Sequence, residues 1–138
     1  MNYPFQITRE ITQEALIPPY NHIHHADLIR QLEDARVELL DAIGQPLQSF
    51  LDRGLFWVIA AIQIEYLREV KEGESVVTCE APTMTERRLI IPQRIYNHRK
   101  KLAVRAQVEL ALFSVEQQRG ITIPSPIVAA FKAEDLES

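Results

Sequence analysis

Apolar residues recur at Leu28, Leu32, Ala35, Leu39 and Ile43, spaced by four, three, four and four positions. That is the period of a helix burying one stripe. It predicts one long helix from near His24 to Gly44, whose glycine suits the position just past a helix end. Elsewhere the period is two. Tyr3, Phe5 and Ile7 predict a strand over Asn2–Arg9, Val77 and Cys79 one over Ser75–Ala81, and Val104, Ala106, Val108, Leu110 and Leu112 a long one over Leu102–Val115. Arg87–Asn97 alternates less cleanly, and Pro92 points to an edge or a bulge there. Leu55–Tyr66, rich in β-branched and aromatic residues, reads as a buried strand. Pro18-Pro19 fixes a rigid extended loop. Gln45–Arg53 reads as a short helix entered through Pro46 and closed by Gly54. Lys71-Glu72-Gly73-Glu74 is a charged turn, Asn97–Lys101 a polar hairpin turn, Thr122–Pro126 a proline-bounded loop and Ile127–Phe131 a short terminal helix.

The order is one strand, one long helix and four consecutive strands with short turns, which makes the turn-linked strands antiparallel neighbours. A helix that must bury its apolar stripe packs on that sheet, so an α+β two-layer arrangement is expected, a curved sheet around one long helix. No internal repeat, low-complexity tract or linker interrupts residues 1–138, which read as a single domain.

Composition narrows the function. With 46% hydrophobic and 25% charged residues the chain is of the globular class. Its formal net charge of −4 argues against a nucleic-acid partner, which would call for a basic face. Cys79 is the only cysteine and no hydrophobic signal segment opens the chain, so a cytoplasmic location is expected. The longest apolar run, Leu55–Ile62, is strand-sized, and no membrane span is expected.

Candidate chemistry collects where the long helix begins. His22, His24 and His25 crowd a turn at a helix N-terminus, where unpaired backbone N–H groups and the dipole favour an anion or a developing oxyanion. The His-x-His-His run supplies imidazoles but no evident fourth ligand, since His98 lies on a distant hairpin and Cys79 in mid-strand, so no metal site is expected. Glu33 is expected to pair with Arg36 or Arg30 at a spacing of three, and Asp27 to complement the dipole.

His25-Ala26, the run from Glu33 to Leu40, Ile64-Glu65-Tyr66, Gln93-Arg94-Ile95-Tyr96-Asn97 and Pro126-Ile127-Val128-Ala129-Ala130-Phe131 are collinear, in order and spacing, with those of a known family. On these residues the chain resembles the hotdog-fold acyl-CoA thioesterases of the 4-hydroxybenzoyl-CoA thioesterase type, most closely the Tol–Pal-associated subgroup. The resemblance implies a curved antiparallel sheet wrapped around one long helix, assembly as a homodimer or dimer of dimers, and hydrolysis of an acyl thioester on CoA or an acyl-carrier protein, with no cofactor beyond the CoA of the substrate. It also implies a departure: counting back from His25, the position of the family's acidic residue is Pro18. His25 falls where the subgroup carries a histidine assigned a catalytic role, and neutral imidazole can take a proton from water near neutral pH. Acid-lacking relatives rely on a helix arginine and on backbone or Asn contacts; Arg36 falls at that helix position, Asn21 is available nearby, and Glu14, before the proline pair, is a candidate to replace the acid. Pro18, Tyr20, His22, Ile23 and His24 are expected to line the acyl pocket, and Arg88 to meet the phosphates of CoA. The absent acid also leaves a second reading, a catalytically weak acyl-thioester binder or structural hotdog subunit.

Overall fold

The computed structural model describes residues 1–19 and 21–132. In chain order the elements are β1 (Phe5–Ile11), a 3-10 turn (Gln13–Ala15), β2 (Leu16–Ile17), β3 (His22–Ile23), α1 (His25–Ala42), α2 (Leu47–Leu51), β4 (Leu55–Tyr66), β5 (Gly73–Cys79), β6 (Thr83–Met84), β7 (Leu89–Tyr96), β8 (Leu102–Ser114), β9 (Arg119–Ile121) and α3 (Ser125–Phe131). The main sheet runs β1-β5-β7-β8-β4, with β6 added to β7 and β9 to β8, while β2 and β3 form a separate pair. All of these ladders are antiparallel. The architecture is α+β, an antiparallel sheet with one long helix on it.

The helix is where the apolar spacing put it. Leu28, Leu32, Ala35 and Leu39 are buried, and Ile43 packs at the core's margin. The stripe is wider than those five residues, because Gln31, Arg36 and Leu40 are buried too. α1 lies on β5, β1 and β7. Its end is closed by a Schellman arrangement: Gly44 N–H donates to Asp41 O (3.1 Å) and Gln45 N–H to Leu40 O (2.9 Å). This requires the left-handed backbone that Gly44 adopts at φ 76°. Beneath the helix, Val77, Cys79, Ile95, Val104, Val108 and Leu112 are all wholly buried, each aliphatic side chain contributing about 1.5–3 kcal/mol.

Two expectations about the sheet are corrected. β4 is not a buried strand: among the described residues it pairs only with β8 and forms an edge, with Phe56, Val58, Ile59 and Ile62 exposed by 38–47%. The ladder also slips between Ile59 and Ala61, leaving Ala60 as a bulge. Trp57 and Ile59 before the bulge, and Ile62, Ile64 and Tyr66 after it, stand opposite buried β8 residues and so share the helix-facing side. The turn-linked strands are not all neighbours, either: β5 lies between β1 and β7, away from the β4 that precedes it. Pro92 sits inside the sheet where β5 gives way to β6, and its carbonyl accepts the N–H of Glu80 at 2.7 Å. On the surface, Asp34 and Glu38 hold Arg9 of β1 (3.5 and 2.6 Å), tying helix to sheet.

Candidate functional site

The entrance to α1 is built by a short detour of the chain. Asn21 takes a left-handed turn at φ 53°, its N–H bonding to Ile17 O at 2.9 Å, so that Leu16 and Ile17 pair with Ile23 and His22. Ile23 then docks its N–H on Val70 O at 2.9 Å, which brings the segment after β4 against the helix start. His24 is the N-cap. Its backbone is extended, and its Nδ1 accepts the Ala26 N–H at 3.0 Å, an imidazole doing what Ser or Asp usually does. That bond requires Nδ1 without a proton. His25 is the first helical residue and is exposed. Its ring lies 4.1 Å from the His24 ring and 6.4 Å, edge to face, from Tyr66. Among the described residues no group accepts the His25 N–H. The first turn therefore keeps one donor and the positive end of the dipole beside an exposed imidazole.

His22, Ile23, His24, His25 and Leu28 face residues 66–70 across a cavity of about 410 Å³. The pattern of the sequence did not reveal the contribution of residues 66–70. They bring Tyr66, Arg68, held by Leu102 O at 2.7 Å, and Glu69, whose carboxylate pairs with Lys71 at 3.3 Å. The only advance signal for them is the Ile64-Glu65-Tyr66 motif. Glu65 itself points away and pairs with Arg105 of β8 at 3.0 Å on the exposed face.

Of the residues singled out in the sequence, the structure brings His22, Ile23, His24 and His25 together. Asn21 faces a different recess with Gln13, Leu16, Lys71, Glu72 and His98. Glu14 is exposed on the 3-10 turn, and Pro18 is exposed and is not among the residues lining the histidine cavity. Tyr20 lies outside the described residues. Arg88 is exposed on the turn between β6 and β7, its N–H on Thr85 Oγ1 at 3.1 Å.

Arg36 belongs to neither group. It is buried in the middle of α1, and its Nη1 donates to Gln93 Oε1 of β7 at 2.9 Å. The wholly buried Gln93 in turn donates from Nε2 to Leu32 O (3.0 Å), Thr78 O (3.3 Å) and Cys79 Sγ (3.4 Å), joining helix, β5 and β7. Burial lowers the Arg36 pKa, because the low dielectric disfavours its charge. Burial likewise pushes the Cys79 thiol up to about 12, so this lone cysteine is no nucleophile. Glu33 forms no ion pair with Arg36 or Arg30 among the described residues, against the spacing argument; it lies beside Arg36 on a second cavity of about 220 Å³. No three His, Cys, Asp or Glu side chains among the described residues are grouped to hold a metal ion. Nor is any helix among them long and apolar enough to cross a membrane.

A family model described as thioesterase-like superfamily matches residues 13–131, the stretch that carries the helix start, α1 and the sheet from β4 to β8. The chain belongs to the thioesterase-like superfamily. Solved structures agree on the fold of this thioesterase-like protein. A 1,4-dihydroxy-2-naphthoyl-CoA thioesterase from Synechocystis superposes with a TM-score of 0.82 at 16% identity, covering 97% of this chain and 98% of that one. A hypothetical protein from Staphylococcus aureus, solved in complex with CoA, gives 0.84 at 18% identity over 94% of this chain and 82% of its own. A hypothetical protein from Aquifex aeolicus gives 0.83 at 18% identity over 94% and 100%. No curated protein matches the sequence. At such identities the likeness establishes the hotdog α+β fold and leaves the chemistry to be argued from the site.

Proposed function

We propose that this thioesterase-like protein hydrolyses an acyl thioester, carried by CoA or by an acyl-carrier protein, in the cavity at the start of α1. The observation that carries the reading is the exposed His25 imidazole at a helix N-terminus whose first N–H has no acceptor among the described residues. Neutral imidazole takes a proton from water as the water oxygen attacks the thioester carbonyl. The His25 N–H and the helix dipole receive the charge that develops on the carbonyl oxygen. When the tetrahedral adduct collapses, the C–S bond breaks and the imidazolium returns its proton to sulfur, leaving a carboxylic acid and a thiol. No carboxylate nucleophile enters, since Pro18 stands where the resembled family keeps its acid. Arg88, exposed beyond β6, is the cation we assign to the phosphates of CoA. The reaction is placed in the cytoplasm, where a single reduced cysteine is at home.

The same reading takes the working form to be a homodimer or a dimer of dimers. β4, 12 residues long, pairs through all of them but Ala60 and, among the described residues, on one side only, and exposed apolar side chains run along it. Such an edge invites a second copy. A second reading, an acyl-thioester binder without turnover, is favoured by one observation: His24 occupies the Ala26 N–H, so the first turn offers one donor fewer to an oxyanion. Free-thiol release measured across acyl-CoA and acyl-carrier substrates separates the two. Turnover on any of them supports hydrolysis; binding without thiol release on all of them supports the binder.

A further inference from the structure

The cavity beside Arg36 is not used by the chemistry at the helix start. It lies between α1 and β4, further along the helix than the histidine cavity, and shares no lining residue with it. Arg36 is 11 positions beyond His25, about 16 Å along the axis at the usual helical rise. Leu40 of α1, Leu47 of α2, Trp57 of β4 and Phe131 of α3 make its walls apolar, and Arg36 is the one cation among the described residues that line it. A guanidinium has five N–H donors. Here only Nη1 has an acceptor among the described residues, the neutral Oε1 of Gln93. Glu33, one turn earlier and exposed, acts on Arg36 only through space. Trp57 adds a buried indole N–H without an acceptor among the described residues. Desolvated charge is costly, and buried cations are normally paired with an anion.

A buried cation with one neutral acceptor among the described residues, in a recess whose other charged lining residue is the exposed Glu33, is complementary to an organic acid, with the tail against the apolar walls and the carboxylate on the guanidinium fork. The size fits. An apolar cavity of about 150 Å³ suffices for benzene, and this one of about 220 Å³ has room for a ring or a short chain with its carboxylate. We propose that this cavity binds the carboxylate of an apolar organic acid, with Arg36 as counter-ion. Combined with the thioesterase reading, on which this second step rests, the acyl group of the substrate carries a carboxylate at the end remote from the thioester.

Trp57 is the only tryptophan and lines the cavity, so its emission reports occupancy without any turnover. Octanoate and octan-1-ol, which share a tail, are titrated against the wild-type chain. Octanoate should bind about tenfold more tightly or better, the ratio expected of a charge-assisted bond. Arg36→Lys should keep that preference and Arg36→Met should lose it, with circular dichroism confirming both folds. Equal affinity of acid and alcohol in the wild type, or a preference that survives in Arg36→Met, overturns the site. Thiol release then tests the substrate: tetradecanedioyl-CoA, whose extended chain is long enough to reach from His25 to Arg36, should exceed tetradecanoyl-CoA about tenfold or more in kcat/KM. Equal values with octanoate still bound at Trp57 overturn the assignment of the acyl group and make the ligand a free acid. Carboxylate binding with no hydrolysis of any thioester refutes the thioesterase reading and leaves the Arg36 site standing.

Discussion

Gln93→Leu tests the buried joint between helix and sheet. Gln93 is wholly buried, and its amide makes three donor contacts, to Leu32 O, Thr78 O and Cys79 Sγ, besides accepting from Arg36. Leucine is apolar and of similar size, so the change removes hydrogen bonds rather than volume. Each neutral bond contributes about 0.5–1.5 kcal/mol net. The larger part comes from Arg36, left buried without an acceptor; removing a partner from a buried ion pair costs about 3–5 kcal/mol, and Gln93 is a neutral partner, so about 3 kcal/mol is expected for the whole substitution. That is a large share of the roughly 5–15 kcal/mol of a domain's stability. It corresponds to a fall in Tm of about 10 °C for a chain of this size. Urea unfolding followed by Trp57 emission measures it. The double variant Gln93→Leu/Arg36→Met removes the stranded cation and should be more stable than Gln93→Leu alone by about 1 kcal/mol or more. A Gln93→Leu chain within about 1 kcal/mol of wild type, or a double variant less stable than the single, would refute this account of the joint.

Alkali should loosen the fold by a predictable route. Burial pushes Cys79 from 9.0 and Tyr3 from 10.0 each to about 12, the Tyr3 hydroxyl also donating to Phe131 O at 2.6 Å. Because both folded values lie above the unfolded ones, the stability tied to these protonated groups is whole below about pH 9 and is lost as pH rises toward 12. Urea midpoints taken between those limits should fall, and Cys79→Ala should flatten the fall; a flat wild-type profile contradicts the assignment. Ile62→Lys places a charge in the exposed apolar run of the β4 edge and should convert the proposed dimer to a monomer of about 16 kDa by light scattering, from the 15.9 kDa chain. A wild type that is already monomeric removes the edge from the account.

What the sequence made legible is local. The stripe from Leu28 to Leu39 gave α1 because a helix repeats its own period, and Gly44 marked its end because that backbone needs glycine. The turn at Asn97–Lys101 was legible for a similar reason: Asn97 Oδ1 caps the N–H groups of Arg99 (2.9 Å) and Lys101 (3.1 Å) within five residues. β4 misled because both its faces are apolar, Phe56 packing on Phe113 at 5.0 Å outside while Trp57 packs on Phe50 at 5.4 Å inside, and because the bulge at Ala60 breaks the alternation. That it is an edge depends on β8 returning to it from far along the chain. In the site, the histidines were legible as a polar crowd at a helix start. Residues 66–70 were not, since long-range contacts, the bond from Ile23 to Val70 and the ring contact of Tyr66 with His25, bring them there. Arg36 was expected as an ion-pair partner of Glu33 and as a site residue, and its burial was not read from the sequence. Its position four residues after Leu32 and four before Leu40 was the clue that it shares the buried face.

On the proposed mechanism, His25 activates water against a thioester at the start of α1. The most direct test is thiol release by His25→Ala and wild type on an acyl-CoA that the wild type turns over, with circular dichroism confirming that both are folded. A positioned general base contributes about 10²–10⁴-fold, so kcat should fall by about 10²-fold while the exposed position of His25 leaves the fold intact. A His25→Ala chain that releases thiol at the wild-type rate would contradict the account.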